Sequence, residues 1–158
     1  ASIKPTTAIT VSAWIKITSV ASNTRILSDW HQAGVSGDRW IFYCANTTTI
    51  NWWMTSTGKS EAGVTTPYTF TAGNWTNLTG TYDGTTQALY INGSFFSSAG
   101  RTGTLYSGNS SQTVRIGRQA ESGGSLNGNI SNVSIYNRAL SATEIQQNFE
   151  ALRGRYGL

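Results

Sequence analysis

Charge is scarce in this chain: 11% of its 158 residues are charged, against about 25% in an ordinary soluble domain. Its eleven Lys and Arg are scattered, giving +4 overall, too thin a footprint for a nucleic-acid partner. The single cysteine, Cys44, excludes an internal disulfide framework. No apolar run approaches the roughly 18 residues of a membrane span, which excludes insertion as a helix. Two prolines set against 17 glycines point to tight turns rather than stiff linkers, and six tryptophans exclude a disordered chain. The first residue is Ala, so the domain, 1–158, is expected to be a fragment of a longer chain. A Ser-, Thr- and Asn-rich surface fits an extracellular or virion-associated location.

What remains alternates. Ile9, Val11, Ala13, Ile15 and Ile17 interleave with Thr10, Ser12, Trp14 and Lys16, a period of two that predicts a strand with one face in a core. Trp14 then stands on the other face, where something must cover it. Further strands are expected at Arg25–Trp30, Trp40–Ala45, Thr49–Thr55, Tyr68–Phe70, Trp75–Tyr82, Gln87–Ile91, Val114–Gly117 and Ile130–Tyr136. Asp83-Gly84 and Asn92-Gly93 tolerate the positive φ of short hairpin turns. Ile130 runs out of phase with Val133 and Ile135, which predicts a bulge near Asn132. The expected core is Ile9, Val11, Ile15, Leu89, Ile91, Val114, Ile116, Val133 and Ile135.

One helix is expected from about Ala142 to Leu152. Ser141 and Glu144 form a capping box, Leu140 and Ile145 a hydrophobic staple, and Ile145, Phe149 and Leu152 share one face. Turns at regular spacing without alternating helices exclude a parallel βαβ fold and favour a sandwich or barrel.

Three ordered segments carry a family resemblance. Thr10-Val11-Ser12-Ala13-Trp14-Ile15-Lys16 opens the chain. Trp75 leads through Thr81-Tyr82-Asp83-Gly84 to Leu89-Tyr90-Ile91-Asn92-Gly93. Gly128-Asn129-Ile130 leads to Ile135-Tyr136-Asn137-Arg138-Ala139-Leu140-Ser141 and Glu144-Ile145. Together they resemble the laminin-G-like, concanavalin A-like family of lectins and glucanases. That resemblance implies an all-β jelly roll with a short C-terminal helix. It also implies an extra opening strand, so an exposed sheet edge is expected to meet neighbouring chain or another subunit. Where the family often carries an acidic pair, this chain has Ser131 and Asn132. The closing Arg153-Gly154-Arg155-Tyr156-Gly157-Leu158 is similar to the ends of phage structural proteins.

The glucanase branch of that family uses Glu-x-Asp-x-x-Glu, and no such string occurs. The seven acids stand apart: Asp29, Asp38, Glu61, Asp83, Glu121, Glu144 and Glu150. His31 is the one histidine, no Gly-x-Ser-x-Gly elbow accompanies it, and no His/Cys set has zinc spacing. No cofactor or metal is expected: Asp29, Asp38 and carbonyls near them supply only some of the hard oxygens that calcium requires, and they read first as ordinary loop acids. Seven Asn-x-Ser/Thr triplets occur, several inside strands, as chance gives in a chain of this composition.

Binding is therefore the reading. Sugars are held by an aromatic face against C–H patches and by polar groups on the hydroxyls. Trp30, His31, Asp38, Arg39 and Trp40 bracket a glycine-bearing loop and form the expected ligand site, with Arg39 facing an acidic substituent. In Asn51-Trp52-Trp53 the two rings point to opposite faces of a strand, making Trp53 a possible added platform. The expected function is a carbohydrate-binding or adhesion module for a glycan or glycoprotein. The alternatives are a capsid or fibre decoration domain contacting proteins and, behind it, a glycoside hydrolase.

Overall fold

The computed structural model describes residues 5–29, 39–56, 62–105, 113–118 and 124–158. Among the described residues eleven strands run in the order β1 (Ile9–Ser19), β2 (Thr24–Asp29), β3 (Trp40–Asn46), β4 (Thr49–Met54), β5 (Ala62–Pro67), β6 (Trp75–Tyr82), β7 (Thr86–Ile91), β8 (Ser94–Gly100), β9 (Arg115–Ile116), β10 (Gly124–Ser125) and β11 (Asn127–Tyr136). Helix α1 (Ala142–Arg153) follows, with a 3-10 turn at Gly154–Tyr156. One sheet has the order β11-β1-β6-β7-β8; the other is β10-β2-β3-β4-β5, with β9 also on β2. All pairings are antiparallel except the two-residue contact of β10 with β2. The result is a sandwich, one of the two architectures the turn spacing allows and the one the family resemblance implies.

The inward faces make one core. β1 contributes Ile9, Val11, Ala13, Ile15 and Ile17; β3 and β4 contribute Trp40, Phe42, Cys44, Ile50, Trp52 and Met54. Trp52 stacks on Phe42 at 4.5 Å, and its Nε1 donates to the Thr81 carbonyl at 3.1 Å. Leu89 and Ile91 are buried as expected, and Val133 and Ile135 pack half-buried against the same core. Val114 and Ile116 are not inside: they are 39% and 56% exposed. β9 is a two-residue edge piece, too short to carry side chains into the sandwich as a full strand would.

The hairpin turns follow their residues. Asn92 and Gly93 adopt φ of 50° and 76°, while the Asp83 carboxylate accepts from the Thr85 and Thr86 amides, both at 2.8 Å. The bulge lies where it is expected: Ser12 faces Ser134 and Trp14 faces Ser131, so β11 carries one extra residue, and Asn132 takes φ of 51°. Tyr68–Phe70 forms no strand. β5 and β8 do, and the exposed sheet edges lie at β8 and β11 on one side and at β5, β9 and β10 on the other.

Helix α1 answers the question posed by Trp14. Ser141 and Glu144 close the capping box in both directions, which fixes the helix start. The helix then lies over the outer face of the first sheet, with Phe149 stacked on the Trp14 ring at 5.4 Å and Tyr156 at 4.1 Å. No helix among the described residues is long and apolar enough to cross a membrane.

Candidate functional site

Alternation along β3 and β4 splits their apolar residues between two faces. Trp40, Phe42, Cys44, Ile50, Trp52 and Met54 enter the core; Ile41, Tyr43, Ala45 and Trp53 form a second cluster on the opposite face. The register then lines up a row across the sheet. Ser125 of β10 stands beside Arg25 of β2, Arg25 beside Tyr43 of β3, Tyr43 beside Asn51 of β4, and Asn51 beside Thr65 of β5. Residues directly opposite each other share a face, so the row sets a hydroxyl, a cation, an aromatic ring, an amide and a hydroxyl side by side; Tyr43 and Asn51 in its middle are buried, Arg25 is half-buried, and Ser125 and Thr65 at its ends are exposed.

Its internal geometry is ordered. The Arg25 guanidinium lies 4.5 Å over the Tyr43 ring, a cation–π placement. Trp53 meets Tyr43 edge-on at 5.4 Å and remains partly exposed. The indole Nε1 donates to Thr65 Oγ1 at 2.9 Å, and the Thr65 hydroxyl donates to Asn51 Oδ1 at 2.6 Å. This relay holds the ring in place. Two buried donors have no acceptor, the Asn51 Nδ2 amide and the Arg25 Nε. Burial pulls the Arg25 pKa below its ordinary value and the nearby Tyr43 pulls it back; arginine stays cationic through any such shift. An orphaned buried donor costs about 1–3 kcal/mol, a cost that a ligand oxygen would relieve.

Of the residues expected to bind, Trp30, His31 and Asp38 lie outside the described residues. Arg39 and Trp40 are in the interior, 0% and 1% exposed. Arg39 Nη1 pairs with the Asp29 carboxylate at 2.8 Å and Nη2 donates to the Pro5 carbonyl at 2.7 Å, so it offers no fork to an acidic substituent. Trp40 keeps phase with Phe42 and Cys44 and enters the core with them. Trp53 alone of the described set joins the outer row. Arg25, Tyr43, Asn51 and Thr65 escape sequence reasoning because β2 and β5 reach β3 and β4 through long-range pairing, which no local period encodes.

A concavity of about 280 Å³ lies between α1 and the outer face of the first sheet. Its floor is Ser12, Asn77, Thr79 and Ser134, and its roof includes Ile145 and Phe149. The floor is self-satisfied: Ser12 and Thr79 hydroxyls are 2.8 Å apart, and Thr79 reaches Asn77 Oδ1 at 3.3 Å.

The described carboxylates all have structural partners. Asp29 pairs with Arg39, Glu144 with Arg138, Glu150 with Arg153, and Asp83 holds its turn. Calcium does not fit the described residues: Asp29 is already neutralised by Arg39, and Ser131, at the place of the family's acidic pair, accepts from the Tyr156 hydroxyl at 2.9 Å. No group of three metal-ligating side chains occurs among the described residues.

Residues 1–146 fit the model described as the concanavalin A-like lectin/glucanases superfamily. The chain belongs to that superfamily. No curated protein matches its sequence. Among solved structures, the binding domain of botulinum neurotoxin serotype G is similar at 16% identity and TM-score 0.70, over 94% of this chain and 38% of that one. A heptameric SAP-like pentraxin from Limulus polyphemus is similar at 20% identity and TM-score 0.64, over 91% of this chain and 71% of that one. The botulinum neurotoxin DC binding domain, solved in complex with SialylT, is similar at 15% identity and TM-score 0.62, over 92% and 36%. The chain thus spans little more than a third of the toxin binding domains, and the likeness is one of fold.

Proposed function

We propose that this domain is a non-catalytic carbohydrate-binding module of an extracellular or virion protein, and that it docks a glycan on the outer face of its six-stranded sheet. The observation that carries this reading is the Trp53 ring, partly exposed and tethered through Thr65 to Asn51, beside two buried donors without acceptors. An indole fixed in this way offers an aromatic face to sugar C–H groups. The toxin domain solved with SialylT is a fold relative that meets a partner, which supports binding as the use of this scaffold. A glycosidase needs two facing carboxylates about 5 Å apart. The described acids are each engaged elsewhere, which favours binding over catalysis.

The experiment is a glycan panel followed by calorimetric titration of any hit, repeated with Trp53→Ala. Loss of most of the affinity is expected, because a sugar leans on such a ring for much of its apolar contact. Binding that survives the substitution would move the site, and a panel with no hits would overturn the reading.

A second reading has its own observation. Phe95 and Phe96 on edge strand β8 are 59% and 41% exposed. Exposed apolar side chains on an unpaired edge invite a protein contact, which is how a decoration domain would attach to its neighbours. A panel with no hits would leave this reading standing.

A further inference from the structure

We infer that Arg25 is an anion subsite within this row, so that the ligand is an acidic glycan presenting a sugar carboxylate. The inference rests on the glycan reading above and adds the ligand's charge. Its basis is a contrast between two arginines. Arg39, fully buried, has the Asp29 carboxylate and a backbone carbonyl on its fork. Arg25 is half-buried, and its recorded partner is the Tyr43 ring alone; no carboxylate or hydrogen-bond acceptor meets its guanidinium among the described residues. Stripping water from a cation without supplying an anion is unfavourable, and burial does depress the Arg25 pKa. A cation held in that condition is a ready partner for an incoming anion.

Geometry narrows the anion. Stacking on Tyr43 fixes the plane of the guanidinium, and a planar fork matches the two oxygens of a carboxylate. Ser125 flanks Arg25 on one side of the row, and Tyr43, Asn51 and Thr65 continue it on the other. Neighbouring strands are spaced about 4.8 Å apart. A sugar ring seated on Trp53 therefore reaches Arg25 with a carboxylate two strands away, about 10 Å across the buried Asn51 and Tyr43. That is the span of an oligosaccharide with a uronate or similar acid beside its stacked residue, and a neutral chain offers the cation no counter-charge.

The test compares three oligosaccharides of one length by calorimetry: a neutral one, its uronate counterpart and a sulfated counterpart. Each is titrated into the unmodified domain, Arg25→Gln, Arg25→Lys and Trp53→Ala, at low and high salt. The uronate is expected to bind tightest. Arg25→Gln should cost it about ten- to hundredfold, the range for a lost charged hydrogen bond, and should cost the neutral chain less, so that the preference for the uronate shrinks. Arg25→Lys keeps the charge without the fork and should recover part of the loss, which also guards against a folding defect in the Gln variant. Equal binding of uronate and neutral chains, or an unchanged preference in Arg25→Gln, would overturn the inference. Were Trp53→Ala still to abolish that binding, the glycan reading would survive. A preference for the sulfated chain would overturn the carboxylate assignment, and no binding to any of the three would sink both readings.

Discussion

Trp40 and Arg39 show how a residue can be legible in type and misleading in place. Both adjoin a glycine-bearing loop, so the sequence offers them as binding residues. Yet β3 reads Trp40-Ile41-Phe42-Tyr43-Cys44, apolar on both faces, and periodicity alone gives no decision on which set faces the core. Packing decides it. Trp40, Phe42 and Trp52 fill one space, and a glycine makes that possible: a Cβ on Gly80 would lie 2.6 Å from both Phe42 Cζ and the Trp52 ring. Gly80→Ala should therefore destabilise the fold by about 1–3 kcal/mol, as overpacking does. Chemical denaturation checks this, and an unchanged midpoint would mean that the two rings have room to retreat. Trp53, one residue from Trp52, escapes this packing because it stands on the other face.

Elements were readable where local chemistry repeats. β1 declares itself through five alternating apolar residues, and α1 through its capping box; each needs only neighbours in sequence. β5 (Ala-Gly-Val-Thr-Thr-Pro) and β8 (Ser-Phe-Phe-Ser-Ser-Ala-Gly) carry weak strand signals, and pairing with β4 and β7 makes them strands. The binding row runs across such pairings, which is why only Trp53 of its members was visible. The start of α1 also carries a pH dependence. The Arg138 guanidinium, with the Ser141 amide and hydroxyl, holds the Glu144 carboxyl down at about 2, from an ordinary 4.5. A depressed folded-state pKa means stability fully present above pH 4.5 and lost as pH falls toward 2. Thermal melts at pH 6 and pH 2 should show a drop in midpoint that shrinks in Glu144→Gln. An equal drop in both proteins would place the acid sensitivity elsewhere. Because Glu144 and Arg138 are exposed, added salt should weaken the effect.

At the scale of the whole molecule, the shape of the site limits what one copy can do. A row on a sheet face touches a glycan from one side, whereas enclosed pockets bury 70–90% or more of a small ligand. Much of the ligand's surface stays in water, and ordering its flexible linkages offsets part of the gain. A single domain is therefore expected to bind at about millimolar to high micromolar Kd, near 4–6 kcal/mol. A net charge of +4 from scattered residues helps steer an acidic partner but does not hold it. Useful adhesion then requires several copies whose spacing lets them engage together. Linking copies makes each later contact intramolecular, at an effective concentration of about millimolar, and raises avidity by about 10²–10⁴. Surface plasmon resonance over an acidic-glycan surface checks this, comparing the single domain with the same domain joined in tandem by flexible linkers. Fast release by the monomer and slow release by the tandem form are expected, with both abolished by Trp53→Ala. Nanomolar binding by the monomer, unchanged by valency, would mean that the ligand is enclosed rather than laid along an open row.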